Sequence, residues 1–157
     1  MDKNRAIIAY LQTCPHIQEN PLFFNFADEA DGNTHLITNS DTKKTSYVDG
    51  SVLKTYTFTI ACYKDVAYNP LGDYDSTAFD ENIEDMAMVQ DILNWIELQI
   101  DNHNYPEFGE GYQVDSMKIL SNDPKVGVDT STNPPLARYS ITIAIEYLDN
   151  TKKLWTV

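Results

Sequence analysis

The sequence predicts an α+β domain, with an antiparallel sheet, two main helices packed on it and long polar loops. Three observations predict it. Residues 52–63 and 137–148 alternate apolar and polar side chains, the period of a strand with one covered face. Residues 81–102 place apolar side chains at alternating steps of three and four, the period of a helix. The 157 residues, 42% of them hydrophobic, suffice for one buried core and suit a single domain spanning 1–157.

The first element is a helix that Asp2 can cap, with Ala6, Ile7, Tyr10, Leu11 and Cys14 at three- and four-residue steps and Pro15 as its end. Leu22, Phe23, Phe24 and Phe26 give a short segment the aromatic content of a strand. Residues 27–51 are polar and turn-rich, and read as a long loop or a mobile hairpin around Leu36 and Ile37. The strand at 52–63 sets Val52, Tyr56, Phe58, Ile60 and Cys62 on one face, with Lys54 interrupting it, against Thr55, Thr57, Thr59 and Ala61 on the other.

The long helix follows at 81–102. Asp80 can cap it, Glu81, Glu84 and Asp85 suit its first turn, and Met86, Val89, Leu93, Ile96 and Ile100 form a core stripe. A weaker strand runs over 112–120. The last, 137–148, sets Tyr139, Ile141, Ile143, Ile145 and Tyr147 against Arg138, Ser140, Thr142 and Glu146. Half-polar strands of this kind belong to antiparallel sheets covered on one face. Asn, Asp, Gly and Pro fill the connections at 64–79, 103–111 and 121–136, as in surface loops.

Charge narrows the function classes. Eleven Lys and Arg against 24 Asp and Glu leave a net charge of -13, which repels nucleic acid, and no basic run exceeds Lys43-Lys44 or Lys152-Lys153. Such acidity serves solubility, or lets nucleic acid pass without sticking. No apolar run reaches the ~18 residues of a membrane span, and the N-terminal residues predict no signal peptide. Cys14 and Cys62 are expected as buried free thiols.

The sequence predicts no enzyme, no cofactor and no metal. Asp73, Asp75, Thr77 and Glu84 mimic calcium-loop spacing, but Ala78 stands where that loop needs Gly, and the acids read as a loop feeding a helix cap. His16, His35 and His103 are scattered without a second ligand at helical spacing, and no nucleophile elbow or glycine-rich phosphate loop is present. The anomaly lies on the long helix. Met88, Trp95 and Leu98 point away from the core stripe. Either other elements cover that side as ordinary core, or the three form a subunit interface.

Several stretches together are familiar: Lys3 to Ile8, then Asn20-Pro21-Leu22-Phe23-Phe24-Asn25-Phe26, Asp49-Gly50-Ser51-Val52-Leu53-Lys54, Asn104-Tyr105-Pro106-Glu107-Phe108-Gly109, Val128-Asp129-Thr130-Ser131 and Leu136-Ala137-Arg138-Tyr139-Ser140. Across nearly the whole chain the sequence resembles a family of small tail proteins of phages of Gram-positive bacteria, which look like tail terminators. The resemblance implies a virion structural protein, assembled in the host cytoplasm, that forms a ring, hexameric in the family. The ring caps the head-proximal end of the tail tube and joins it to the head connector. Its implied partners are copies of itself, the tail tube protein and the head–tail connector protein, with DNA passing through unbound. Residues 27–51 would then be an assembly arm, carrying Leu36, Ile37, Lys43, Lys44 and Tyr47, loose in the free subunit and ordered on a neighbour. A head-completion or connector subunit of the neck is the nearest alternative. A small acidic enzyme or ligand-binding domain is the alternative from another class, and would show a deep pocket joining titratable groups.

Overall fold

Asp2 opens the chain's first helix, its carboxylate accepting from the Asn4 backbone N–H at 3.0 Å. The helix, α1 (Lys3–Leu11), buries Ala6, Ile7 and Leu11. It stops at Leu11, earlier than Pro15 would require, and Pro15 instead opens a short second helix, α2 (Pro15–Gln18). Proline suits a first helical turn, where its missing N–H has no partner to lose. The computed structural model describes residues 2–18, 22–25, 34–65, 76–120, 125–129, 131 and 135–155. The calcium-like Asp73 and Asp75, and residues 27–33, lie outside them.

The strands are β1 (Leu22–Phe24), β2 (Thr34–Ser46), β3 (Val52–Asp65), β4 (Tyr112–Ile119), β5 (Lys125–Asp129) and β6 (Leu136–Asp149). They form one sheet in the order β1-β2-β3-β6-β4, with β5 also paired to β6. All pairings are antiparallel except the short parallel one between β1 and β2. Alternation puts Tyr56, Phe58, Ile60 and Cys62 of β3 beside Tyr139, Ile141, Ile143, Ile145 and Tyr147 of β6 on one face. These residues are buried in one core with α1, α2 and the long helix α3 (Ser76–Asp101). The opposite face carries no described helix. It is threonine- and serine-rich, with a small cluster of Ala61, Tyr63, Leu136 and Ile37 at one end.

Three expectations are corrected here. The polar stretch 34–46 is neither a loop nor a loose arm but strand β2, registered against β3 from Thr34↔Cys62 to Ser46↔Val52. Its Leu36 is fully buried in the core, and its Asp41 accepts a hydrogen bond from Tyr147 at 2.7 Å and pairs with Lys3 at 3.1 Å. Helix α3 also starts at Ser76 rather than 81, which places Asp80 inside it. Its buried face is Val89, Ile92, Leu93 and Ile96, whereas Met86 is 40% exposed and leaves the stripe. The helix ends where His103 turns left-handed (φ 53°), with Asn104 N–H bonding Gln99 O and His103 N–H bonding Ile100 O. That pair of bonds is a Schellman cap, closed here by a histidine where glycine is commoner.

The core depends on Phe108. The 103–111 connection drops it into the sheet's helix-side face, edge-on to Tyr147 at 5.1 Å and to Tyr56 at 5.9 Å. Lys3 lies over the Tyr147 and Tyr112 rings, 5.3 and 5.1 Å from their centres, and so seats the start of α1 on the same aromatics.

The burial pattern separates two positions of one helix, Leu93 and Met86. Leu93→Ala is expected to cost about 2–5 kcal/mol of unfolding free energy in urea titrations. Met86→Ala should stay within about 0.5 kcal/mol, as an exposed position does. Amide hydrogen exchange offers a separate check on β2. Its β3-bonded amides should exchange slowly in the isolated subunit, and exchange at loop rates would restore the loose-arm expectation.

Candidate interaction surfaces

The three helix residues singled out from sequence do not behave as one patch. Trp95 is half-buried and packs on the core, its ring 5.4 Å from that of Tyr10 on α1. Tyr10 in turn donates to Asn104 O at 2.8 Å, which ties α1 to the end of α3. Met88 is likewise partly buried against the core. Leu98 is 54% exposed, and the other exposed large apolar side chains among the described residues of α3 are Ile83 and Met86. For Trp95 and Met88 the covering element is α1 or the core itself, so of the three only Leu98 stays exposed.

The five arm residues scatter as well. Leu36 is core, and Ile37 packs on the small cluster of the opposite sheet face. Lys44 reaches across to Glu146 at 2.6 Å, and Lys43 is exposed opposite Lys54. Tyr47 sits in the turn between β2 and β3, where Tyr47 N–H bonds Ser51 O and Gly50 N–H bonds Tyr47 O. That turn leads to a second surface.

At this end of the sheet three chain segments lock together. Gly50 has φ 88°, and a Cβ there would stand 2.4 Å from Lys152 O, so glycine is required for both conformation and space. Leu154 N–H bonds Asp49 O at 2.7 Å, while Lys153 pairs with the Asp49 carboxylate at 3.4 Å. Hydrogen bonds from Ser51, with Lys153 beside it, hold the Asp49 carboxyl below the usual range. On the other side, Gly111 O accepts from Asn150 N–H at 2.7 Å. The turn, the tail after β6 and the start of β4 thus become one platform.

The platform displays apolar side chains. Val48 is 91% exposed, Leu154 73%, and Tyr47 and Trp155 about half. Tyr47, Val48 and Trp155, with Leu53 and Leu148, line a groove of about 620 Å³, into which β4 contributes Gln113 and Asp115. Leu53 and Leu148 alternate with Lys54 and Tyr147, so this groove lies on the sheet face opposite the helices. Sequence reading found Tyr47 but missed the rest. The one available signal was Leu154-Trp155, an apolar pair after five polar residues.

Among the described residues, no group of three or more His, Cys, Asp or Glu side chains could hold a metal ion. Cys14 and Cys62 are buried free thiols, and burial pushes the Cys62 thiol up to about 11. Among the described residues no helix is long and apolar enough to cross a membrane.

The platform is braced by Asp149, the last residue of β6, which pairs with Lys54 at 2.8 Å and accepts from Thr151. Burial alone would raise its carboxyl, but the Lys54 and Thr151 hydrogen bonds outweigh burial and hold it at about 2. A carboxyl lowered on folding contributes stability above its unfolded value near ~4, and that contribution fades as pH falls toward the folded value. Asp149→Asn is therefore expected to cost about 1–2 kcal/mol at neutral pH. In denaturant titrations the gap from wild type should narrow between about pH 5 and pH 3. A gap that stayed constant with pH would assign the loss to packing instead. Compared with known proteins, the chain matches no protein-family model and no curated protein sequence.

Proposed function

We propose that this protein is a ring-forming structural subunit of a phage tail, a terminator that caps the head-proximal end of the tube and joins it to the head connector. The observation that carries the reading is the presence of two dissimilar apolar surfaces on opposite sides of one sheet. One is the exposed side of α3, where Ile83, Met86 and Leu98 are the exposed large apolar side chains among the described residues; the other is the Tyr47, Val48, Leu154 and Trp155 platform. A subunit of a closed ring meets its neighbours head to tail, through unlike surfaces. A ring that bridges two assemblies also needs contacts with proteins other than its own copies.

The charge supports the same reading. A net charge of -13 per chain, repeated sixfold, surrounds a bore with an acidic field through which DNA would slide unbound. The absence of any strong basic run leaves the chain without a phosphate grip. The partners in this reading are copies of the chain, the tail tube protein and the head–tail connector protein.

Native mass spectrometry tests it. Six copies of a 17.9 kDa chain give a species of about 107 kDa. Leu98→Asp together with Met86→Asp should return it to a folded 17.9 kDa monomer, because both side chains are exposed in the subunit and add little to its own stability. A wild-type chain that stays monomeric at millimolar concentration would overturn the ring reading.

A further inference from the structure

The groove on the sheet face opposite the helices has a composition that selects its occupant. Its lining includes the aliphatic Leu53 and Leu148 and the aromatic Tyr47 and Trp155. Two carboxylates line it. Asp49 is committed to Ser51 and Lys153, which hold the turn. Asp115 has no ion-pair or hydrogen-bond partner among the described residues.

The placement of Asp115 is itself a structural feature. Register between β4 and β6 runs from Val114↔Tyr147 to Ser116↔Glu146, so Asp115 is the extra residue of a β-bulge. A bulge redirects a side chain that a regular strand would point elsewhere. Here it brings an uncommitted negative charge to an apolar, aromatic-lined groove.

We propose that this groove is a docking site for an arginine side chain carried on an apolar segment of a partner protein. The aliphatic stem of arginine would lie on Leu53 and Leu148, and its guanidinium would meet Asp115 and the Tyr47 and Trp155 rings. About 620 Å³ accommodates that side chain with apolar neighbours on either side. Charge complementarity points away from the other occupants. A phosphate backbone would meet Asp49 and Asp115 head-on. A second copy of this chain has only two arginines, Arg5 and Arg138, to offer such a groove. The inference deepens the ring reading, by giving the subunit a surface for a protein unlike itself, yet it is testable on the subunit alone.

The probe is the capped tripeptide Leu-Arg-Leu, titrated into the isotope-labelled full chain and followed by NMR. Its control is the same peptide with uncharged citrulline in place of arginine. The Trp155 indole N–H and the amides of Leu53, Gln113 and Leu148 are expected to shift, while the Trp95 indole stays still. The citrulline peptide should bind at least about fivefold more weakly, and Asp115→Asn should remove that preference. Trp155→Leu should weaken both peptides, which keeps the test independent of any one variant. Equal binding of the two peptides, shifts confined to other surfaces, or no shift at millimolar peptide would each overturn the proposal. So would loss of self-association in Asp115→Asn without any change in peptide binding, since the groove would then belong to a second copy. These outcomes are separate from the assembly mass: a monomer that binds the arginine peptide keeps the groove and loses the ring.

Discussion

Fourteen consecutive residue pairs join β3 to β6, from Val52↔Asp149 to Asp65↔Leu136, and every other part of the molecule is placed by that ladder. Strand β2 attaches to its β3 side, and β4 and β5 attach to its β6 side. The pairing also sorts side chains. Large apolar residues from both strands face the helices, while threonine, serine and Glu146 face away. A slip of one residue would exchange the two sets, so the buried face pins the register. Phe108, Tyr56 and Tyr147 then form an aromatic seat whose shape exists only when that register holds.

In a chain so short of cations, the lysines are placed at joints. Lys3 binds the start of α1 to Asp41 of β2, and Lys54 closes the end of the β3–β6 ladder on Asp149. Lys44 crosses from β2 to Glu146 of β6, and Lys153 clips the tail to Asp49 in the turn. Each pair is partly exposed and individually modest. Their common effect is positional, since each joins segments distant in sequence. Most carboxylates are left without such partners by simple number, and the outward field of the protein is therefore negative. That field and the two unlike apolar surfaces are the physical basis for reading the chain as part of an acidic ring.

How much of this was legible in the sequence follows from which signals are local. Strands β3 and β6 and helix α3 were legible because each carries its own period over many residues, and the antiparallel neighbours β3, β6 and β4 followed from half-polar faces. Strand β2 was not. Register shifts at Thr38/Ser40 and Lys43/Thr45 break its alternation, and its outer half is exposed and polar, so the stretch imitates a loop. The Leu36 position in the core depends on pairing with Ile60, which nothing in its own neighbourhood announces. Met86 joined the helical stripe by spacing, but an angle round a helix axis does not say how far the covering layer reaches. Trp95 was read as outward because Tyr10, the residue that covers it, lies 85 positions earlier. The groove was the least legible, being assembled from the β2–β3 turn, the bulge in β4 and the tail after β6.

The central ladder has a kinetic consequence. Strands β2 and β3 are joined by a short turn and can pair as soon as they are made, but β3 and β6 are separated by about 70 residues even at their nearest pair. Helix α3 and strands β4 and β5 all belong to that intervening segment. The chain must close a large loop before its core exists, a topology that slows folding and prolongs the life of states with an unpaired strand. Strand β3 is the one left open in such a state, while the outer edge of β2 beyond its short pairing with β1 stays open even in the finished sheet. The two bulges and paired lysines of β2 make that lasting edge a poor template for a stranger's strand.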